Sequence, residues 1–231
     1  MSLEPIARQL APGGLVVFGE LHGTHEVPAF VAAAAERAAA TGPVALALEL
    51  PDALQPGVDA YLATGDRAAL LARPHEFWSW RCGRGGEALF ELLARVRALP
   101  DARVVCCDGT WPTAQARDAG MAGAILAGID RWRAAWLVVC GNLHARSDSP
   151  QWMAWHLRAR HPDLVALDLA HDGGSAWVIT SADGDGGITK LGRSRGDTRR
   201  GVELFAHRDA RGFDGVFHVG PLTPSLPVAL P

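Results

Sequence analysis

The sequence predicts an α/β fold with a mainly parallel central sheet, flanked by helices and completed by antiparallel strands at its C-terminal edge. Two observations carry this prediction. Over residues 15–169, short apolar runs of strand length alternate with longer stretches of helical periodicity, the pattern of a parallel sheet covered by helices on both faces. The last part of the chain holds strand-like runs without helical spacers, and such runs favour antiparallel pairing.

The predicted elements follow one another in regular order. Five strands share a short run of apolar or β-branched residues and lie at 15–18, 44–50, 104–107, 136–140 and 164–169. Five helices share apolar residues at helical spacing and lie at 27–40, 57–71, 87–99, 113–129 and 151–160. Near the C-terminus we expect strands at 176–180 and 216–219, a hairpin turn at 183–187 and a loop at 192–201.

The composition is that of an ordinary globular domain. The 231 residues suit one domain, and we expect residues 1–231 to form a single α/β unit. Hydrophobic residues make up 48% and charged residues 20%, a balance that excludes a disordered chain. The net charge of −3, without a basic patch, argues against nucleic acid or an anionic membrane as a partner. No sequence pattern predicts the oligomeric state.

The expected location is cytoplasmic. No apolar run approaches the roughly 20 residues that a membrane-spanning helix needs, and the N-terminus lacks the apolar core of a secretory signal. The four cysteines have no CxxC spacing, and three of them stand in apolar runs. Buried free thiols in a reducing compartment fit this pattern.

Polar residues follow the ends of the five predicted strands. They are Glu20, His22, Glu49, Asp108, Asn142, His144, Asp168 and His171. Because the carboxyl ends of parallel strands lie along one edge of a sheet, where ligands bind, we expect these side chains to gather at one rim. The sequence therefore predicts a catalytic cluster of histidines and carboxylates at this rim.

The cluster can perform hydrolysis in two ways. A histidine beside a carboxylate can take a proton from water near neutral pH. We predict that His22 is this base, oriented by Glu20 or Glu49, and that His144 stabilises the oxyanion or protonates the leaving group. In the alternative, His22, His144 and Glu49 hold a divalent metal ion with an open position for water.

Further residues are predicted to bind the substrate or to support the cluster. They are Asn142, His25, Asp108, Arg117 and Asp118. Arg117 and Asp118 start a helix, where they orient rim residues or form a structural ion pair. Asp108 and His25 have the alternative role of helix caps. The Trp-rich segment 75–86 is a candidate lid, and its glycine-rich part from residue 83 is interpreted as a mobile loop rather than a dinucleotide site.

Five short motifs follow one another along almost the whole chain. They are Gly-Glu-Leu-His-Gly-Thr (19–24), Leu-Glu-Leu-Pro (48–51), Arg-Asp-Ala-Gly-Met-Ala (117–122), Gly-Asn-Leu-His-Ala (141–145) and Phe-Asp-Gly-Val-Phe-His-Val-Gly-Pro (213–221). In this order they resemble the erythromycin esterase, ChaN and Tiki group. The two G-x-x-H motifs of Tiki-like proteases match Gly19–His22 and Gly141–His144, with Glu49 between them.

The resemblance implies an α/β fold with its site at the rim of the sheet, and a choice of activities. Erythromycin esterases hydrolyse a macrolide lactone with histidine-activated water, and Tiki-like members are metal-dependent peptidases. We therefore expect a hydrolase for an ester or amide bond in a small-molecule or peptide substrate, with or without a divalent metal. The alternative is a ChaN-like haem-binding protein without hydrolytic activity, in which a tyrosine contacts the haem; Tyr61 is the single tyrosine here.

Overall fold

The computed structural model describes residues 1–71, 76–79, 82–180, 186–194 and 200–228. Within these residues the chain folds around a seven-stranded sheet, which confirms the predicted α/β class. The strands are β1 (Leu15–Glu20), β2 (Val44–Pro51), β3 (Arg103–Asp108), β4 (Ala135–Gly141), β5 (Val165–Ala170), β6 (Gly174–Ile179), β7 (Gly186–Leu191), β8 (Gly201–Leu204) and β9 (Gly215–His218).

The helices lie close to the predicted positions. They are α1 (Glu26–Ala39), α2 (Gln55–Thr64), α3 (Arg67–Leu71), α4 (Glu76–Ser79), α5 (Glu87–Arg97), α6 (Ala114–Arg131) and α7 (Met153–Arg160). The helix predicted over 57–71 is divided in two, because Gly65 takes a left-handed conformation with φ of 77° and ends α2. Among the described helices, none combines the length and the apolarity needed to cross a lipid bilayer.

The main sheet has the strand order β3-β2-β4-β1-β5-β9-β8. Its strands pair in parallel except for β8, which runs antiparallel to β9. The expected antiparallel C-terminal edge is therefore present. The strand that forms it starts at Gly201, where the sequence predicts a loop.

The strands β6 and β7 form a separate antiparallel hairpin. The strand predicted at 176–180 therefore exists as β6 but does not join the main sheet, which corrects that expectation. A hydrogen bond from the backbone N–H of Trp177 to Gly23 O (2.9 Å) attaches the hairpin to the turn after β1. The turn predicted at 183–187 falls mainly on residues 181–185, which lie outside the described residues.

Helices cover both faces of the main sheet, as predicted. Side chains alternate between the faces of a strand, so Val16 and Phe18 of β1 pack with α1, α2 and α5, whereas Leu15 and Val17 pack with α6 and α7. Strands β1, β4 and β5 are buried along nearly their whole length. Only the ends of these strands can present polar side chains to solvent.

Both edges of the main sheet are partly covered by local contacts. At the β3 edge, the side-chain amide of Gln55 donates to Val104 O (2.9 Å) and accepts from Cys106 N–H (2.7 Å). At the β8 edge, Ser2 O accepts from Val202 N–H (2.9 Å). These contacts occupy backbone groups that a further strand would use.

Candidate active site

Four adjacent strands bring the predicted catalytic residues to one edge of the sheet. The strands β3, β2, β4 and β1 are parallel neighbours, so their carboxyl ends lie side by side. Asp108 ends β3, Glu49 lies near the end of β2, and His144 follows β4. Glu20 ends β1, and His22 lies in the turn formed by residues 21–25, which we call the His22 turn.

Small residues in the two G-x-x-H motifs allow these segments to approach closely. A Cβ atom on Gly141 would lie 3.3 Å from Nε2 of His22, and one on Gly19 would lie 2.7 Å from Cβ of Ala145. The register of β2 against β3 also shifts between Leu48 and Pro51. Such irregularities redirect side chains near functional sites, and this one lies beside Glu49.

His22 and Glu20 form a short hydrogen-bonded pair. The Nδ1–H of His22 donates to Glu20 Oε1 at 2.6 Å, which leaves Nε2 as the basic nitrogen. That nitrogen lies 3.7 Å from Glu49 Oε2. The His22 side chain is 30% exposed and lines an open cleft.

Glu49 is a buried carboxylate that its neighbours keep ionised. Its Oε1 accepts hydrogen bonds from Arg117 Nη2 (2.6 Å) and Arg84 Nη1 (3.0 Å), and its Oε2 accepts the N–H of Gly141 (2.7 Å). Burial alone would raise the pKa of Glu49. Nearby positive charges, chiefly those of His22 and Arg84, and the hydrogen bond from Gly141 together outweigh the effect of burial. They lower this pKa from 4.5 to about 2.

Asp108 holds the two guanidinium groups beside Glu49. Its Oδ1 accepts from Arg117 Nε (2.9 Å), and its Oδ2 accepts from Arg117 Nη2 (2.7 Å) and Arg84 Nη1 (3.1 Å). Burial raises the pKa of Asp108, but the hydrogen bond and charge of Arg117 and the charge of Arg84 lower it overall. The two carboxylates and the two guanidinium groups therefore balance in charge.

Arg84 belongs to the cluster but is not among the site residues predicted from the sequence. The glycine-rich run interpreted as a mobile loop forms a short 3-10 helix, Gly83–Gly85, which we call the Arg84 turn. It rests directly on the His22 turn, because a Cβ atom on Gly83 would lie 2.5 Å from the backbone nitrogen of Gly23. The one sequence feature that marks this residue is its position as a single arginine among glycines. That feature does not predict its contacts with Glu49 and Asp108, which lie far away in the sequence.

The ring of His144 lies between two side-chain partners. Its Nε2 lies 2.8 Å from Arg117 Nη1, and its Nδ1 lies 2.8 Å from Asp118 Oδ1. Because a guanidinium can only donate, Nε2 must accept and Nδ1 must carry the hydrogen that Asp118 accepts. Asp118 also accepts the backbone N–H of Met153 (2.7 Å). Both ring nitrogens of His144 are therefore engaged within the protein.

The predicted metal arrangement does not fit this geometry. Among the described residues, no group of three or more His, Cys, Asp or Glu side chains is arranged to hold a metal ion. Arg117 occupies Nε2 of His144 and also binds Glu49. A metal ion held by His22, His144 and Glu49 would have to displace this guanidinium from both ligands.

Other predicted residues lie outside the cluster. Asn142 is exposed, and only its backbone N–H contacts the site, at Glu20 O (3.0 Å). The Nδ1 atom of His25 lies 3.4 Å from Glu91 Oε2, in an exposed pair that does not belong to the cluster. Asp168 of β5 pairs with Arg211 at 2.7 Å.

The described aromatic residues considered for haem contact and for the lid lie in the core. Tyr61 is buried in α2 against the Phe90 ring and is not among the cleft-lining residues, so it does not supply a haem contact in this cleft. In the candidate lid, Phe77 and Trp78 are buried in the core. Residues 72–75, 80 and 81 lie outside the described part of the chain.

The C-terminal segment, residues 223–228, joins the two turns that carry His22 and Arg84. The backbone N–H of Ser225 donates to Gly23 O (2.9 Å), and the N–H of Val228 donates to Gly85 O (3.4 Å). The buried hydroxyl of Ser225 accepts the N–H of Ala88 (3.0 Å) at the start of α5. The segment therefore fixes the relative position of the two turns.

The cleft in front of the cluster has a volume of about 620 Å³ and is lined by both ionisable and apolar residues. The residues of the cluster that line it are His22, Glu49, Arg84, Asp108 and Arg117. Its apolar lining includes Leu21, Pro51, Ala53, Phe77, Trp177, Val178 and Ile179. A substrate here would meet an imidazole, two guanidinium groups and apolar side chains.

Comparison with known proteins identifies the fold. A scan of family models and a search of curated proteins find no match. A structure from Bacillus cereus superposes with a TM-score of 0.69 at 12% identity, covering 98% of this chain and 93% of that chain. ChaN of Campylobacter jejuni, in a structure describing cofacial haem binding, superposes at 0.56 with 11% identity, covering 94% and 91%. The type III effector HopBA1 gives 0.54 and 15%, covering 90% and 88%.

Proposed function

We propose that this chain is a hydrolase that cleaves an ester or amide bond with water activated by His22. The observation that carries the proposal is the Glu20–His22 pair, whose 2.6 Å hydrogen bond engages Nδ1 and leaves Nε2 as the basic nitrogen of a residue that lines the cleft. A carboxylate that fixes the tautomer of a histidine is the arrangement of a general base and its orienting group. The ordered motifs resembling the erythromycin esterase, ChaN and Tiki group support the same class.

In the proposed reaction, Nε2 of His22 takes a proton from water while the water oxygen attacks the carbonyl carbon. The negative charge that develops on the carbonyl oxygen is stabilised by Arg84 and Arg117, whose guanidinium groups line the cleft. When the carbon–oxygen or carbon–nitrogen bond breaks, His22 returns the proton to the leaving group. The products are a carboxylic acid and an alcohol or amine.

We assign His144 a positioning role in this mechanism. Its Nε2 accepts from Arg117 and its Nδ1–H is bound by Asp118, so it has no free nitrogen for the oxyanion or the leaving group. It holds Arg117 against Glu49 and Asp108 instead. This differs from the role predicted for His144 from the sequence.

The test compares hydrolysis by the wild type, His22→Ala and His207→Ala. Suitable substrates are p-nitrophenyl esters, a macrolide lactone and peptide anilides. Loss of a general base lowers rates by about 10²- to 10⁴-fold, so we expect this loss in His22→Ala. His207 is exposed and lies outside the cleft, so its variant should match the wild type.

Two results would overturn the proposal. One is a His22→Ala variant that hydrolyses as fast as the wild type while its melting temperature shows an intact fold. The other is a saturable Soret shift on titration with haem, without hydrolysis of any substrate in the panel. The second result would support the haem-binding alternative.

A further inference from the structure

The apolar residues that line the cleft have no role in the proposed proton transfer. They share the cleft with the ionisable side chains of the cluster. Apolar walls with a few convergent polar groups are typical of ligand sites, and exposed apolar patches mark contact surfaces. We therefore interpret the apolar lining as the binding site of an apolar part of the substrate.

The β6–β7 hairpin contributes residues to this apolar lining and is attached to the His22 turn. Gly23 has φ of +78°, and a Cβ atom there would lie 2.0 Å from Trp177 O. The N–H of Trp177 also donates to Gly23 O at 2.9 Å. Backbone contacts thus anchor β6 to the residue that directly follows the proposed base.

Three successive hairpin residues, Trp177, Val178 and Ile179, line the cleft. Alternate residues of a strand share a face, so Val178 lies on the same face of β6 as the buried Ala176, whereas Ile179 is 48% exposed. We therefore choose Val178 to test the hairpin contact. Ile188 of β7 is 59% exposed and is not among the cleft-lining residues.

The charges of the cleft-lining residues do not favour an anionic substrate. Arg84 and Arg117 are both bound by Glu49 and Asp108, so these four groups sum to zero. Asp52 also lines the cleft and adds one negative charge. A substrate with a permanent negative charge would therefore find no net positive charge among these groups to attract it.

We propose that the cleft selects a neutral ester or amide whose acyl part carries a bulky apolar group seated against Val178. This inference rests on the proposed function, because it names the substrate class of the same site. Clefts of 300–1,000 Å³ bury most of a drug-sized ligand, and the 620 Å³ here fall within that range. The scissile carbonyl then lies near Nε2 of His22 while the apolar group contacts the hairpin.

The test measures kcat/KM for p-nitrophenyl acetate, butyrate and octanoate in the wild type, Val178→Asp and Ile188→Asp. In the wild type we expect kcat/KM to rise with acyl length. Val178→Asp should remove this rise, with at least about a tenfold loss on octanoate and a small change on acetate, since each buried methylene is worth a several-fold gain in binding. Ile188→Asp should match the wild type. Val178→Ser gives the same comparison if Val178→Asp does not fold.

The inference is overturned if kcat/KM does not depend on acyl length, or if both aspartate variants change all three substrates equally. Binding of the neutral fluorescent probe N-phenyl-1-naphthylamine distinguishes the absence of an apolar site from failure of the proposed hydrolase function. Probe binding that Val178→Asp weakens and Ile188→Asp preserves supports the apolar site even without hydrolysis. Hydrolysis without acyl-length dependence retains the proposed function and refutes the substrate class.

Discussion

Glu20 sets the pH range in which His22 can act as a base. Burial lowers the pKa of His22, but the charge and hydrogen bond of Glu20, together with the charge of Glu49, raise it above its usual 6.5. A histidine must be neutral to accept a proton. Activity should therefore increase with pH through a midpoint above 6.5.

Replacing Glu20 with Gln should move this midpoint to lower pH, because the loss of the negative charge lowers the pKa of His22. The rate at the plateau should also fall by roughly 10²-fold, since the amide orients the imidazole less well. The pH profile of kcat/KM tests both effects. Glu91→Gln is the control, because it removes a carboxylate beside His25 outside the site. An unchanged midpoint in Glu20→Gln would contradict the pairing.

Glu49 should make the stability of the fold depend on acid pH. Its folded pKa of about 2 lies below the usual 4.5, so its contribution is present above pH 4.5 and disappears as the pH falls toward 2. The lowered pKa corresponds to on the order of 3 kcal/mol. Urea unfolding should show Glu49→Gln less stable at neutral pH, with a smaller deficit at pH 3. A deficit that does not change with pH would contradict this assignment.

The sequence predicts the members of the cluster better than their roles. Glu20, His22, Glu49 and His144 could be identified because each interrupts or follows an apolar strand. The role of His144 depends on a tautomer imposed by Arg117 and Asp118, which meet it only in the folded chain. Arg84 could not be predicted, because its position depends on contact between two separate turns.

At the level of elements, the Arg84 turn should tolerate no side chain at Gly83. An added Cβ atom would meet the backbone of Gly23 at 2.5 Å, so Gly83→Ala must push the turn and its arginine away from the site. A displacement of about 1 Å can lower a rate 10²-fold, and we expect a loss of that order in kcat/KM. Gly123→Ala is the control, since a Cβ atom there meets nothing within 4 Å. Equal activity of the two variants would contradict this role of the turn.

Local periodicity predicts the helices and the buried strands of the main sheet, and it fails for β7 and β8. Residues of β7 are partly or largely exposed, so they form no apolar run. Only the first two of the four residues of β8 are buried, so it also forms no apolar run. The division of the helix at 57–71 depends on the backbone of one glycine, Gly65. β6 pairs with β7 outside the main sheet, and its backbone is bound by Gly23 and Leu222, contacts that depend on the folded chain.

For the whole molecule, the C-terminal segment should be required for activity but not for the sheet. A chain ending at Pro221 lacks the bonds that join Gly23 to Gly85 through residues 225 and 228. We expect its kcat/KM to fall by about 10²-fold or more while far-UV circular dichroism retains the α/β signature. A chain ending at Val228 keeps these bonds and should retain activity. Full activity of the shorter chain would contradict this role.

The strand order explains which rim residues meet. β4 lies between β1 and β2, which brings His144 between Glu20 and Glu49 although the chain separates them widely. β5 lies on the other side of β1, and its Asp168 is bound by Arg211. Sequence periodicity predicts that a rim exists, but the order of strands along it depends on long-range pairing.

The covered margins of the main sheet bear on how copies of this protein behave at high concentration. An unpaired strand offers its amides and carbonyls to another molecule, which is a route to fibrillar aggregation. Gln55 takes up Val104 O and Cys106 N–H on one side, and Ser2 takes up the N–H of Val202 on the other. Intermolecular growth of the sheet would first have to break these bonds, so one glutamine and one serine help to keep neighbouring molecules apart.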